Sequence, residues 1–212
     1  MDQLSAPVFA VLFATMGPLK TIPVFHDLSL GLSYARLATL ALAGALFAGV
    51  IVGFVSFVTL GKMQALGVTS DALGVAGGAI LFAAGLRRLT DIAPATPLAS
   101  APVRAPADDR PSLMRAALWP LAAPTIVTPA AVVAILVFLE RTLDDGPARY
   151  AVLQLIGLML LMNLAGMLAA RPIVRVIGSA PLRIVGWIFS VLQTGMGVEV
   201  AIAALRRMLI AS

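Results

Sequence analysis

The chain has no cysteine, one histidine (His26), 6% aromatic residues, and only 12% charged residues among its 212. Without cysteine there are no disulfides, thiolate metal sites or thiol relays. A lone histidine cannot build a His-cluster metal site, so no metal is expected. The sequence offers no Ser–His–Asp grouping and no paired aspartates within an apolar block. That excludes an intramembrane protease and leaves no catalytic residue to nominate. The net charge of +5 sits on basic residues at the ends of hydrophobic blocks, without interleaved aromatics. Membrane topology accounts for that placement better than nucleic-acid binding. The first residues, Met1 to Leu4, lack the basic region of a signal peptide.

What is abundant is apolar mass, 60% of the residues. Soluble chains carry about 25% charged residues, roughly twice the fraction here. The apolar blocks reach the ~20 residues that span a bilayer. The expected class is therefore an all-α, multi-pass membrane protein with no cofactor, embedded in a lipid bilayer. Six spans are expected: about Leu4–Phe25, Ala35–Leu60, Asp71–Leu89, Leu113–Leu139, Tyr150–Ala170 and Leu182–Leu205. Ser33 and Thr69 or Ser70 suit the starts of the second and third. Residues 90–112, rich in Pro, Ala and Ser, read as a flexible cytoplasmic linker. It separates a first three-helix repeat, 1–89, from a second, 113–212. Arg171 to Pro181 reads as a polar loop. Nine Lys and Arg flank the spans on one side and five on the other. The positive-inside rule then puts both termini outside, in the periplasm of a bacterial inner membrane.

The organising stretch is Thr15–Phe25, TMGPLKTIPVF, where Gly17, Pro18 and Pro23 interrupt an apolar block. Interior prolines remove helix hydrogen bonds, and carbonyls freed in lipid need protein or water partners. The fourth block repeats the device in APTIVTPA, Ala123–Ala130. Pro124 and Pro129 there bracket four residues, as Pro18 and Pro23 do. Matched interruptions in two halves are the sequence mark of a transporter's midplane site. ARLATLALAG (35–44) and ARYAVLQLIG (148–157) also agree at six of ten positions. Three spans per half would invert the second copy, giving two inverted-topology three-helix repeats with broken helices 1 and 4.

Around the breaks, Thr21, Thr125 and Thr128 offer hydroxyls that either bind solute or satisfy freed carbonyls. Lys20 is costly inside a bilayer, by roughly 2.5–3.5 kcal/mol on insertion scales. It either engages a substrate carboxylate or snorkels to the interface. Asn163 is an interhelical hydrogen-bonding residue or a substrate ligand. Glu199 is a coupling carboxylate for H⁺ or Na⁺, a counter-ion for Lys20, or an interfacial residue. Gly74, Gly77, Gly78 and Gly85 form a smooth face suited to helix packing or homo-oligomerisation.

These motifs together resemble the MarC family of integral membrane proteins, the SnatA-like neutral amino acid transporters. GPLKTIPVF (17–25) is similar to the family's Asn-Pro-Leu-Gly-x-x-Pro-x-Phe. VAGGAILFAAGLRRL (75–89) resembles its glycine-rich third span, WPLAAPTIVTPAA (119–131) its Pro-Leu-x-x-Pro…Gly-Pro-Gly segment, and 176–205 its last span. The resemblance implies a six-span inner-membrane protein, with small neutral amino acids as substrates of some relatives. The chain departs from the pattern at Gly17 (Asn in the family), Lys20 (Gly), Thr128 and Ala130 (Gly), Glu199 (Gln) and Ala203 (Asp). The expectation is a secondary transporter of a small neutral amino acid or related carboxylate, working by alternating access. A non-transporting membrane scaffold and an ion or metal permease are the rival readings.

Overall fold

The computed structural model describes residues 2–62, 67, 69–90 and 110–211. Every regular element among them is helical. The expected linker lies almost wholly outside the described residues; its last members, from Arg110, already belong to a helix.

The first apolar block forms two helices, α1 (Asp2–Met16) and α2 (Pro18–Leu28). Gly17 between them is extended (φ −68°, ψ 158°), and Pro18 takes the first position of α2. A proline there loses no hydrogen bond, because its N–H would have been unsatisfied anyway. Pro23 breaks nothing: α2 continues through it to Leu28. Next comes α3 (Tyr34–Lys62), which begins after Ser33, whose carbonyl accepts from Leu37 N at 2.9 Å. Thr69 caps α4 (Ser70–Thr90), its Oγ1 accepting from Ala72 N at 3.2 Å.

The fourth block is more broken than its spacing suggests. After α5 (Arg110–Ala116), residues Ala117–Ile126 wind irregularly, with Trp119 (φ −135°, ψ 120°) and Ala123 (φ −128°, ψ 129°) extended. Both precede prolines, Pro120 and Pro124, whose rings exclude the helical region from the residue before them. The chain then bends by 60° into α6 (Pro129–Arg141).

Asp145 caps α7 (Gly146–Leu168), its Oδ1 accepting from Ala148 N at 3.0 Å. The expected loop Arg171–Pro181 is instead a short helix, α8 (Ala170–Ile177), running into α9 (Ser179–Ala211). Ile173 and Val174 of α8 pack against the core, which gives this arginine-bearing segment a reason to be helical. Gly178 turns the chain between α8 and α9 at φ +82°, a conformation that glycine adopts without strain.

Packing interleaves the chain's two parts. α3 lies along Ala117–Ile126 and α6, whereas α7 lies along α1 and α2. α4 packs on α9 and on α6. The α4–α9 contact is antiparallel and brings backbones together: a Cβ on Gly78 would sit 2.5 Å from the Gly197 carbonyl oxygen. One on Gly197 would sit 2.4 Å from Phe82 N. Such small-residue approach drives helix association in lipid, which gives no hydrophobic force between helices. The interior is apolar, with Leu12, Met16, Phe25, Leu121, Ile126, Ile135 and Met159 fully buried. The outer face of α3 exposes Leu46, Phe54 and Phe57, each about 70% accessible.

Four stretches are long and apolar enough to cross a bilayer: Ala6–Leu28, Tyr34–Thr59, Gly146–Leu168 and Ile184–Ile210. The bent pair Pro111–Ile126 and Pro129–Arg141 makes a fifth if counted as one span. The chain is an integral, multi-pass membrane protein.

Candidate functional site

The two main interruptions meet. α1 stops at Met16, so the carbonyls of its last turn lose their helical acceptor role at the break. The Thr128 hydroxyl, at the start of α6, donates to the Thr15 carbonyl at 3.0 Å. Asn163 of α7 donates through Nδ2 to the Met16 carbonyl at 2.5 Å and to its own Met159 carbonyl at 2.8 Å. Its Oδ1 accepts from the Thr21 hydroxyl of α2 at 2.6 Å. Three polar side chains, Thr21, Thr128 and Asn163, are thereby gathered on the carbonyls of Thr15 and Met16, each no more than 5% exposed.

The helix starts on either side of this cluster are near copies. Gly17 and Thr128 are both extended, with ψ 158° in each case, and a proline follows each at the first helical position. The equivalent prolines are therefore Pro18 and Pro129. That corrects the expected alignment of the pair Pro18/Pro23 with Pro124/Pro129. The offset of 111 residues lies close to the 113 that relates ARLATLALAG to ARYAVLQLIG.

The two starts differ in capping. Thr128 Oγ1 accepts from Ala131 N at 3.1 Å, whereas Gly17 has no side chain to offer α2. The first amides of α2 thus have no side-chain cap, in a buried setting where a helix N-terminus favours negative charge. Gly17 is also sterically required: a Cβ there would lie 2.2 Å from the Phe13 carbonyl oxygen. Lys20 is the third residue of α2, half-buried, with its ammonium shielded from solvent. A cation on the first turn works against the helix dipole.

Of the expected residues, the structure brings together Thr21, Thr128 and Asn163, with Gly17 and Pro18 at the same break. Lys20 lies in the same first turn of α2, next to Thr21. Pro23 is in the body of α2, Thr125 and Pro124 lie in the irregular segment, and Pro124 and Pro129 face outward. Glu199 is not brought to the junction: its side chain is exposed on α9, on a side turned away from the glycine contact with α4. No group of His, Asp and Glu suited to a metal ion occurs among the described residues.

Four groups with a structural role are not among the expected site residues. The carbonyls of Thr15 and Met16 carry no side-chain signal; only the position of the break exposes them. Gln193 of α9 is 1% exposed, donates to the Leu81 carbonyl at 3.3 Å, and has no partner for Oε1 among the described residues. A lone amide in an apolar block was its available signal. Arg171 donates through Nη2 to the carbonyls of Ser29 and Leu32 and lies 5.3 Å over the Tyr34 ring. As one of many loop arginines, it does not stand out in the sequence.

The model of the MarC family, described as MarC family integral membrane protein, matches residues 3–209, and the chain belongs to that family. Comparisons with curated proteins and with solved structures return no match.

Proposed function

We propose that this member of the MarC family is a secondary transporter of a small carboxylate-bearing solute, most simply a small neutral amino acid. The single observation that carries the reading is the hydrogen bond from Thr128 to the Thr15 carbonyl, which joins the two interrupted helices at a buried polar cluster. Broken helices that meet inside a bundle supply backbone amides and carbonyls at a depth where lipid offers none. The α2 start, uncapped and carrying Lys20, suits the carboxylate. Thr21, Thr128 and Asn163 suit the solute's polar remainder.

The proposed architecture is six crossings in two inverted repeats, with the broken spans first and fourth. Two features support it: the matched starts of α2 and α6, and a packing in which α3 and α7 each lie along the other half's broken span. α4, at 21 residues, supplies the sixth crossing. The ion pair of Asp71 with Arg207 and the Arg171 contacts fall at opposite ends, roughly 40 Å apart along α9 at 1.5 Å per residue. The proposed setting is a bacterial inner membrane with both termini outside, and coupling to H⁺ or Na⁺ is part of the proposal.

The second reading is a non-transporting membrane scaffold. One observation favours it: the junction side chains satisfy one another, as a purely structural repair of two broken helices would require. Uptake of labelled glycine, alanine and serine into proteoliposomes, with and without a pH gradient, separates the two. Saturable uptake of any of them supports transport; none, with correctly inserted protein, leaves the scaffold.

A further inference from the structure

We infer that α2 is the moving gate of this protein and that Arg171 is the latch that closes it. The inference rests on the transport reading for what passes the gate, but its geometry stands separately. α2 is an 11-residue helix bounded by two glycines that suit hinges: extended Gly17 before it and Gly31, at φ +80°, after it. Hinges are a few element-terminal residues that absorb backbone rotation. The long side chains that tie its two ends both come from α7 and α8. At the inner end, Asn163 holds Thr21 and the Met16 carbonyl. At the outer end, Arg171 spans the Ser29 and Leu32 carbonyls in the turn after α2, with Tyr34 under its guanidinium.

Between these ties α2 rides on a smooth part of α7. A Cβ on Gly166 would lie 3.0 Å from Pro18 Cβ and 3.3 Å from Ile22 Cγ1, so only hydrogen separates the helices there. Such a surface lets a helix swing without side chains disengaging. Arg171 is a stronger fastening than the Asp71–Arg207 pair at the other end of the bundle. It is half-buried and makes two charge-assisted hydrogen bonds. The Asp71–Arg207 pair at the other end is single and solvated, with side chains 46% and 28% exposed, and pairs of that kind contribute little. Releasing Arg171 frees the outer end of α2 while the inner junction stays bonded, opening the bundle on the α8 side.

The natural lack of cysteine makes the test direct. Leu28, 1% exposed in the last turn of α2 beside the Arg171 contacts, is replaced by cysteine as the sole thiol in the full-length protein in vesicles. The readout is the labelling rate with a membrane-impermeant maleimide supplied on the α8 side. Arg171→Ala is expected to raise that rate about tenfold by shifting a two-state equilibrium. Arg171→Lys is expected to fall between, because an ammonium can still donate to the carbonyls but has no planar guanidinium to lie over the Tyr34 ring. Asp71→Ala, at the far end, is expected to leave the rate unchanged. Equal rates in the Arg171→Ala protein and its parent, both melting cooperatively, overturn the latch. Should Arg171→Ala fail to fold, an unchanged rate in Arg171→Lys overturns it equally. Faster labelling without amino-acid uptake keeps the gate and removes the solute reading; normal uptake with unchanged labelling removes the gate alone.

Discussion

Replacing Asn163 with leucine probes the junction at its most connected residue. The carboxamide makes three hydrogen bonds, to the Met16 and Met159 carbonyls and from the Thr21 hydroxyl. They do not weigh equally. Met159 lies inside α7, where a helix interior carbonyl keeps its backbone partner. The Thr21 hydroxyl can turn back onto its own helix, as threonines in membrane helices do. Its loss therefore matches a typical interhelical bond in lipid, about 0.6 kcal/mol. The Met16 carbonyl is different, because the helix ends there. Left buried and unpaired, it costs about 1–3 kcal/mol. The sum is about 1.5–3.5 kcal/mol. At roughly 2–4 °C per kcal/mol for a chain of this size, the melting temperature should fall by about 3–14 °C. Thermal unfolding of the purified protein in detergent, followed by intrinsic fluorescence, reads this. Asn163→Asp should fall further, since a carboxylate would face the carbonyls that Nδ2 now serves. A leucine variant that melts within about 1 °C of the parent would refute the assignment of Asn163 as the tie across the break.

Thr128→Val removes both a cap and a cross-junction donor, and should cost about 1–2 kcal/mol in thermal unfolding, while Thr128→Ser restores most of it. Gly197→Val drives a side chain into α4 where a Cβ already lies 2.4 Å from Phe82 N, and should abolish folded, monodisperse protein on size exclusion; Gly157→Val, with nothing within 4 Å, should not. Glu199→Gln should leave uptake and its pH dependence unchanged, because the side chain is exposed on α9; loss of pH dependence would put Glu199 back in the coupling path. Asp71→Ala breaks a solvated pair and should change stability by no more than about 1 kcal/mol, an effect that added salt reproduces in the parent.

The sequence shows these features unevenly, for physical reasons. Apolar blocks and their ends are legible because lipid demands length and continuity: α3, α4 and α7 begin within a few residues of the expected starts, at Ser33, Thr69 and Asp145. The breaks at Gly17–Pro18 and Thr128–Pro129 are legible too, because proline after an extended residue begins a helix. Proline spacing misleads on the rest. Pro18 and Pro129 open helices, Pro23 is carried within one, and Pro120 and Pro124 disrupt the approach to another. The proline ring's effect depends on the backbone before it, which spacing alone does not record. α8 is hidden because two arginines and a proline in eight residues read as loop until Ile173 and Val174 find the core. At the site, Thr21, Thr128 and Asn163 are visible as polar residues in apolar blocks. Their carbonyl partners are not, since backbone groups acquire a role only where a helix ends.

The central claim, that the meeting point of the two broken helices holds a solute, is tested most directly by solute protection of a single cysteine at Thr21 or Thr128. Each cysteine is expected to react with a small water-soluble thiol reagent during turnover. Saturating alanine, glycine or serine is expected to slow the reaction. Cysteines that stay unreactive under every condition, or react at a rate no solute alters, would contradict it.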